Sequence, residues 1–239
     1  MKNFSNTYIL VFSAIMAVVV ATGLSGVALY LQPIQNKNIT LNNRQNILTS
    51  LNIESTKENV LPKYDKYIIN SYVINADDEK IKGVDAFFVN LSKEMSKPMD
   101  KRKLPIFVAS VVNNKKYIIP VRGKGLWGPI WGYIALNDNF NTIYGAYFSH
   151  ESETPGLGAQ IVTRPFQKQF IDKKIFNSRG KFVSIKVYTG GTSPNNPHSV
   201  NGISGATITS NGVENMLKNT IMPYVPYLKK MRKNLSEHE

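Results

Sequence analysis

The chain contains no cysteine. That absence excludes disulfides, thiolate metal ligands and cysteine-bound iron–sulfur clusters on this polypeptide. Histidine is almost missing too: only the scattered His150, His198 and His238 occur, so no multi-histidine metal site is predicted. Acidic residues are few, 16 Asp and Glu against 29 Lys and Arg, for a formal charge of +13. A basic excess is compatible with nucleic acid, an anionic membrane surface or an anionic cofactor. No basic helix or arginine-rich arm accompanies it, and Lys, Asn and Ile are abundant along the whole chain. The charge therefore reads as compositional, runs such as 97–103 and 229–233 as solvated segments, and no nucleic-acid partner is predicted. Internal repeats and low-complexity tracts are absent as well. What remains is ordinary globular composition in 239 residues, enough for one or two domains with a full core.

Charge is missing altogether from Tyr8 to Leu31, where Val, Ala, Ile, Leu and Gly dominate. At a rise of ~1.5 Å per residue, such a helix has about the length needed to cross a hydrocarbon core. Ser13, Ala14, Ala17, Ala21, Gly23, Ser25 and Gly26 give it a small-residue face on which another helix could pack. A cleaved signal peptide, processed near Gly26-Val27-Ala28, is the competing reading. The apolar stretch is long for that role and only Lys2 precedes it as a basic residue, which favours an uncleaved anchor. Lys2 on one side and Lys37 and Arg44 on the other leave orientation open under the positive-inside rule. Residues 1–33 are assigned to the anchor, 34–66 to a stalk and connector, and 67–239 to a soluble domain.

After Gln32-Pro33, the spacing of Ile39, Leu41, Ile47, Leu48 and Leu51 predicts an amphipathic stalk helix over Asn36–Asn52, followed by a polar connector over 54–66. Strands are expected over Tyr67–Ile74, Ile106–Val112, Tyr117–Val121, Trp131–Asn137, Thr142–Ser149 and Phe182–Thr189. Asn113-Asn114 and residues 138–141 read as hairpin turns. Pro155-Gly156 opens an expected helix to about Asp172, and a final helix over Asn211–Met231 is broken or kinked by Pro223 and Pro226. The fold class is α+β, with a mainly antiparallel sheet flanked by helices.

The chemistry concentrates in Val200–Gly212. A short apolar run passes into Ser204-Gly205-Ala206-Thr207, and Thr209, Ser210 and Asn211 offer caps for the final helix; Asn211 and Glu214 have capping-box spacing. Small residues admit close approach of a ligand, and a helix start supplies free N–H groups and a favourable field for phosphate. Ser204, Thr207 and Thr209 thus line a reasonable phosphate site. A plain capped helix after a tight turn accounts for the same residues, and physics alone favours it. No lysine follows the glycine in P-loop fashion, so an NTPase has little support.

Ser204-Gly205-Ala206-Thr207 resembles the Ser/Thr-Gly-Ala-Thr motif of proteins that carry FMN through a phosphoester to threonine, attached by a flavin transferase with FAD as donor. Asn201 stands where that motif usually has an acidic residue. A second block, Glu153-Thr154-Pro155-Gly156-Leu157-Gly158, resembles the flavin-contacting loop of the same domains. A third, Gly123–Leu136, resembles the C subunit of the Na⁺-translocating NADH:quinone reductases (Nqr), as do Leu31-Gln32-Pro33 and Asn46-Ile47-Leu48 after the apolar segment. The resemblance implies FMN on Thr207, with Ser204, Gly205, Ala206, Thr209, Glu153, Thr154, Leu157, Gly158 and Trp127 around it. Trp131, at strand spacing, is expected in the core. Lys186 is equally readable as a counter-charge for flavin or as a solvated strand lysine.

By the same resemblance the chain is a one-electron carrier with no catalytic residue of its own, partnered by the other reductase subunits. It is implied to lie in the bacterial inner membrane, anchored by one helix, with its soluble domain on the outer face. Two alternatives remain at this point: the equivalent subunit of an Rnf-type ferredoxin:NAD oxidoreductase, and a basic extracytoplasmic binding module without cofactor.

Overall fold

The computed structural model describes residues 5–191 and 195–237. The chain divides into two compact units, Met1–Asn43 and Arg44–Glu239. One helix, α1 (Asn6–Ser50), runs unbroken through Pro33. The separate stalk helix expected from Asn36 therefore does not exist as an element of its own. Proline removes one backbone hydrogen bond and crowds the preceding turn, and here the turns on both sides keep their helical bonds regardless. Among the described residues, α1 holds the one stretch long and apolar enough to cross a membrane.

The end of α1 was legible to within two residues. Asn52 adopts φ 59°, the Asn52 N–H donates to the Thr49 carbonyl, and the Ile53 N–H reaches back to Leu48. This is a Schellman cap, in which asparagine tolerates the left-handed conformation that closes the helix. Ile47, Leu48 and Leu51 are buried there.

The expected connector contains α2 (Val60–Tyr67), which leads directly into β1 (Ile68–Ile74) and the short β2 (Lys80–Ile81). A 3-10 turn at Ala86–Phe88 and α3 (Leu91–Met95) precede the main strands. These are β3 (Leu104–Val111), β4 (Asn114–Lys124), β5 (Pro129–Leu136) and β6 (Ile143–His150). The sheet order is β2-β1-β3-β4-β5-β6, and every pairing in it is antiparallel. The β3–β4 turn is Val112-Asn113, one residue earlier than expected, because Val111 pairs with Asn114. Both turn residues have positive φ, 50° and 61°, as a two-residue hairpin twisted with its strands demands.

Both faces of this sheet are covered. Ile119, Ile130 and Ile134 point into one cluster, while their neighbours Ile118 and Ala135 point into a second. Alternation along a strand sends adjacent residues to opposite faces, which is why β3 reads as an almost unbroken apolar run. Ile47 and Leu51 from the end of α1 close the second cluster.

Three further expectations are corrected. Residues 155–172 are not one helix but a 3-10 segment, Gly158–Val162, and α4 (Arg164–Lys168), separated by extended Thr163. Only Lys186–Tyr188 of the expected 182–189 strand forms, as β7, and it pairs in parallel with β8 (Ser199–Asn201). The final helix starts at Thr207, four residues ahead of Asn211: α5 (Thr207–Ile221) gives way at a 3-10 turn, Met222–Tyr224, to α6 (Val225–Ser236). The break falls at Pro223 and Pro226, where expected.

The first cluster holds Val213, Met216, Leu217 and Ile221 of α5 against the sheet. Two glycines set how closely. A Cβ at Gly123 would come 2.6 Å from Cβ of Met216, and one at Gly212 would come 2.6 Å from the Lys124 carbonyl oxygen. With neither present, α5 lies directly on the end of β4, bringing its first turn to the loop after Lys124.

Candidate functional site

Three segments distant in sequence meet there. The first is the four-residue β4–β5 loop, Gly125-Leu126-Trp127-Gly128, closed by a 2.8 Å hydrogen bond from the Gly125 N–H to the Gly128 carbonyl. The second follows β6. Thr154-Pro155-Gly156-Leu157 forms a type II turn, with φ 77° at Gly156 and the Leu157 N–H donating to the Thr154 carbonyl. Proline before glycine is the sequence signature of that turn. The third is the entry to α5. Gly205, at φ 74°, turns the chain, and the Ser210 hydroxyl accepts the Ile203 N–H at 3.0 Å.

The first α5 hydrogen bond joins Ser210 N–H to the Ala206 carbonyl, so the N–H groups of Thr207, Ile208 and Thr209 have no partner in the helix. Asn211 is an interior helical residue and not a cap. Its supposed capping partner Glu214 instead accepts the Val187 N–H at 2.9 Å.

Glu153 lies at the junction. Only 4% of it is exposed. One carboxylate oxygen accepts the Trp127 N–H at 2.9 Å, and the other accepts the Thr209 hydroxyl at 2.5 Å. His150 Nδ1 accepts the Glu153 N–H at 3.2 Å. Burial pushes the Glu153 carboxyl up, but the Thr209 hydroxyl and the Trp127, Gly128 and Leu126 N–H groups outweigh it, so the group titrates below the ordinary value. The carboxylate needs room on both sides. A Cβ at Gly125 would come 2.5 Å from Oε1, and one at Gly158 would overlap Oε2.

These segments enclose a cavity of about 240 Å³, lined by Leu126, Glu153, Thr154, Leu157, Gly158 and residues 205–209. A larger cavity of about 420 Å³ opens between α3, β4 and α5. Arg122, Lys124 and Asn219 line it, but none of the residues predicted around a flavin does. The smaller one is therefore the candidate site. Of the predicted residues it gathers Glu153, Thr154, Leu157, Gly158, Gly205, Ala206, Thr207 and Thr209. Thr207 is exposed as the first residue of α5, and its hydroxyl makes no hydrogen bond within the described chain.

Three predicted residues are not part of the lining. Ser204 is exposed in the turn before the helix. Lys186 is exposed on β7, beside buried Val187, which fits its reading as a solvated strand lysine. Trp127 enters the site through its backbone N–H, while the residue as a whole is 66% exposed at the loop tip. Trp131 is a correction: it is half-buried beside the Arg122 guanidinium, 6.0 Å from its ring, and not in the core. Leu126 and Ile208 line the cavity and were missed. Ile208, 57% exposed, has its signal in the sequence as an apolar residue beside Thr207 where helical spacing gives it no core to enter.

A glycine-bounded cavity against a helix start, on an antiparallel sheet, defines the class of the protein: residues 125–222 match the FMN-binding domain family. The C subunit of the Na(+)-translocating NADH-quinone reductase from Parabacteroides distasonis has a solved structure that is 42% identical. It covers 83% of this chain and 96% of that one, with a TM-score of 0.77. The equivalent protein from Vibrio parahaemolyticus, which bears the same name, is 29% identical over 92% of this chain and 91% of its own length. Shewanella oneidensis NqrC, at 21% identity and a TM-score of 0.68, shares the fold over 81% of this chain and 99% of that one. The chain belongs to the NqrC family, the C subunits of the Na⁺-translocating NADH-quinone reductases.

Proposed function

We propose that this chain carries FMN esterified through its phosphate to the Thr207 hydroxyl, and that it conducts electrons between other redox centres of a Na⁺-translocating NADH:quinone reductase. The observation that carries the reading is the setting of Thr207. An exposed, unengaged hydroxyl stands on the cavity rim, beside N–H groups that have no partner in the helix. Those N–H groups and the positive end of α5 favour a phosphodiester. Leu126, Leu157 and Ile208, each more than two-fifths exposed, offer apolar surface to a ring system. In the N–H groups free at the helix start and in the space left by glycine, the residues fit the group.

When bound, FMN supplies the one-electron exchange; the protein supplies position and electrostatics. At about 240 Å³ the cavity is smaller than the roughly 300–1,000 Å³ that encloses a typical ligand. It would therefore hold only part of the cofactor, leaving the rest reachable by a partner. Thr207 is an attachment point and not a catalytic nucleophile. Asn201, at the end of β8, is held on both backbone groups by the Gln169 side chain, so the segment before the motif is positioned without an acidic side chain.

In this reading α1 anchors the chain in the bacterial inner membrane with the soluble unit on the outer face, where a covalent tether prevents loss of cofactor. Its partners are the other reductase subunits, with a flavin transferase for maturation. Co-expression with a flavin transferase tests the proposal. Under ultraviolet light a denaturing gel should show a fluorescent band for the wild type and none for Thr207→Val. A dark wild-type band, or an undiminished one in the variant, refutes it.

A further inference from the structure

Glu153 is a buried carboxylate with no cationic partner: among the described residues the ion pairs are Lys97–Glu94, Arg164–Glu54 and Lys233–Glu237. A buried anion is costly unless its hydrogen bonds are well made. Here they come from two other segments, the Trp127 N–H in the β4–β5 loop and the Thr209 hydroxyl in the first turn of α5. Gly125 and Gly158 complete the pocket, since a side chain on either would collide with one of the carboxylate oxygens. Four positions spread over more than eighty residues are thus fitted around a single carboxylate. Thr209 lies two residues beyond Thr207 on the same helical turn, so whatever fixes Thr209 also fixes the backbone that carries the Thr207 hydroxyl. Both carboxylate oxygens are already engaged by these donors, which commits the carboxylate to holding the two segments together.

We propose that Glu153 is a positioning residue for the flavin and not its ligand: it locks the 125–128 loop to the start of α5, and its fixed negative charge lowers the flavin reduction potential. This rests on the reading that FMN is carried on Thr207. The direction of the potential effect follows from Coulomb's law, because an anion at the cavity wall disfavours addition of an electron to a group seated there. The carboxylate is itself held ionised by its hydrogen-bond donors.

The test uses the full-length chain, co-expressed with a flavin transferase and purified in detergent. Glu153→Gln keeps the shape: its carbonyl can accept from Trp127, and its amide can donate to the Thr209 hydroxyl oxygen. It should carry flavin at close to the wild-type level and titrate at a more positive potential. Glu153→Ala and Thr209→Val remove the lock, and attachment of flavin should slow, by up to about a hundredfold for Glu153→Ala, the order of loss that misplacing a reacting group brings. An unchanged potential in Glu153→Gln overturns the electrostatic role. Wild-type attachment rates in both Glu153→Ala and Thr209→Val overturn the positioning role. Failure of the underlying reading has a different signature, since the wild type then carries no flavin that depends on Thr207. In that event amide exchange at Trp127 still decides the lock: faster exchange in Glu153→Ala supports it, and unchanged exchange overturns it.

Discussion

Gly158→Ala places one methyl group where the site has no space for it. The new Cβ would overlap one Glu153 carboxylate oxygen and stand 2.6 Å from the Thr209 hydroxyl oxygen. Neither neighbour can retreat cheaply. Glu153 is tied at 2.9 Å to the Trp127 N–H, and Thr209 is only 1% exposed. Forcing a methyl into a packed interior costs about 1–3 kcal/mol. Displacing either partner also sacrifices a charge-assisted hydrogen bond of about 1.5–3 kcal/mol. Against this, alanine narrows the unfolded ensemble and returns about 0.4–1 kcal/mol. The net expectation is a loss of about 2–5 kcal/mol, or roughly 5–20 °C in Tm for a chain of this size. Urea unfolding followed by tryptophan fluorescence is a suitable assay, because Trp127 and Trp131 both lie on the strands and loop bordering the site. Gly190→Ala is the control, with nothing within 4 Å of its Cβ, and should stay within about 0.5 kcal/mol of wild type. A Gly158→Ala variant as stable as that control refutes the packing argument around Glu153.

Val112→Asn should stabilise the chain by about 1 kcal/mol, measured as a rise in Tm, because a β-branched residue at φ 50° is strained. Little burial is lost with it, Val112 being 87% exposed. Burial pushes Tyr64 up to about 12 from 10.0, with Arg44 pulling the other way. The folded state thus holds that proton more tightly, so the stability is intact below pH 10 and is lost as pH rises through 12; Tyr64→Phe should flatten this alkaline limb in pH-dependent melts. Glu153 has the opposite sign. Its folded value lies below the ordinary 4.5, so its contribution is present above that pH and is lost as pH falls through the folded value. Glu153→Gln should therefore make the acid limb of the same melts shallower, and an unchanged slope counts against the hydrogen-bonded carboxylate.

Several elements could be read directly from the residues because their signals are local. The uncharged run from Tyr8 marks α1, and Pro223 with Pro226 the break in the C-terminal helix, whereas Pro155-Gly156, read as a helix start, makes a type II turn. Misreadings arose where a local signal competed with a distant contact. Asn113-Asn114 is the stronger hairpin dipeptide, yet the turn is Val112-Asn113, since a one-residue slip would turn Val111 out of the second cluster and bring Val112 in. Asn211 and Glu214 match a capping box, but the small residues 204–206 let the helix begin at Thr207 and free Glu214 to bind the β7 backbone. Trp131 has strand spacing, which places it on a face without saying that its own position near the start of β5 is only half covered.

By itself the sequence determined the apolar segment, the antiparallel strand-rich domain, and the two short blocks through which the chain resembles FMN-binding proteins. These are properties of periodicity, turn chemistry and short contiguous motifs, each confined to neighbouring residues. Only the tertiary structure decided that Glu153, Trp127 and Thr209 share one buried carboxylate, that Gly123 and Gly212 let α5 rest on β4, and that Lys186 lies outside the cavity. The reason is physical: a hydrogen bond between residues 56 positions apart, such as Thr209 to Glu153, leaves no periodic trace along the chain. It exists only once the sheet and helix have packed.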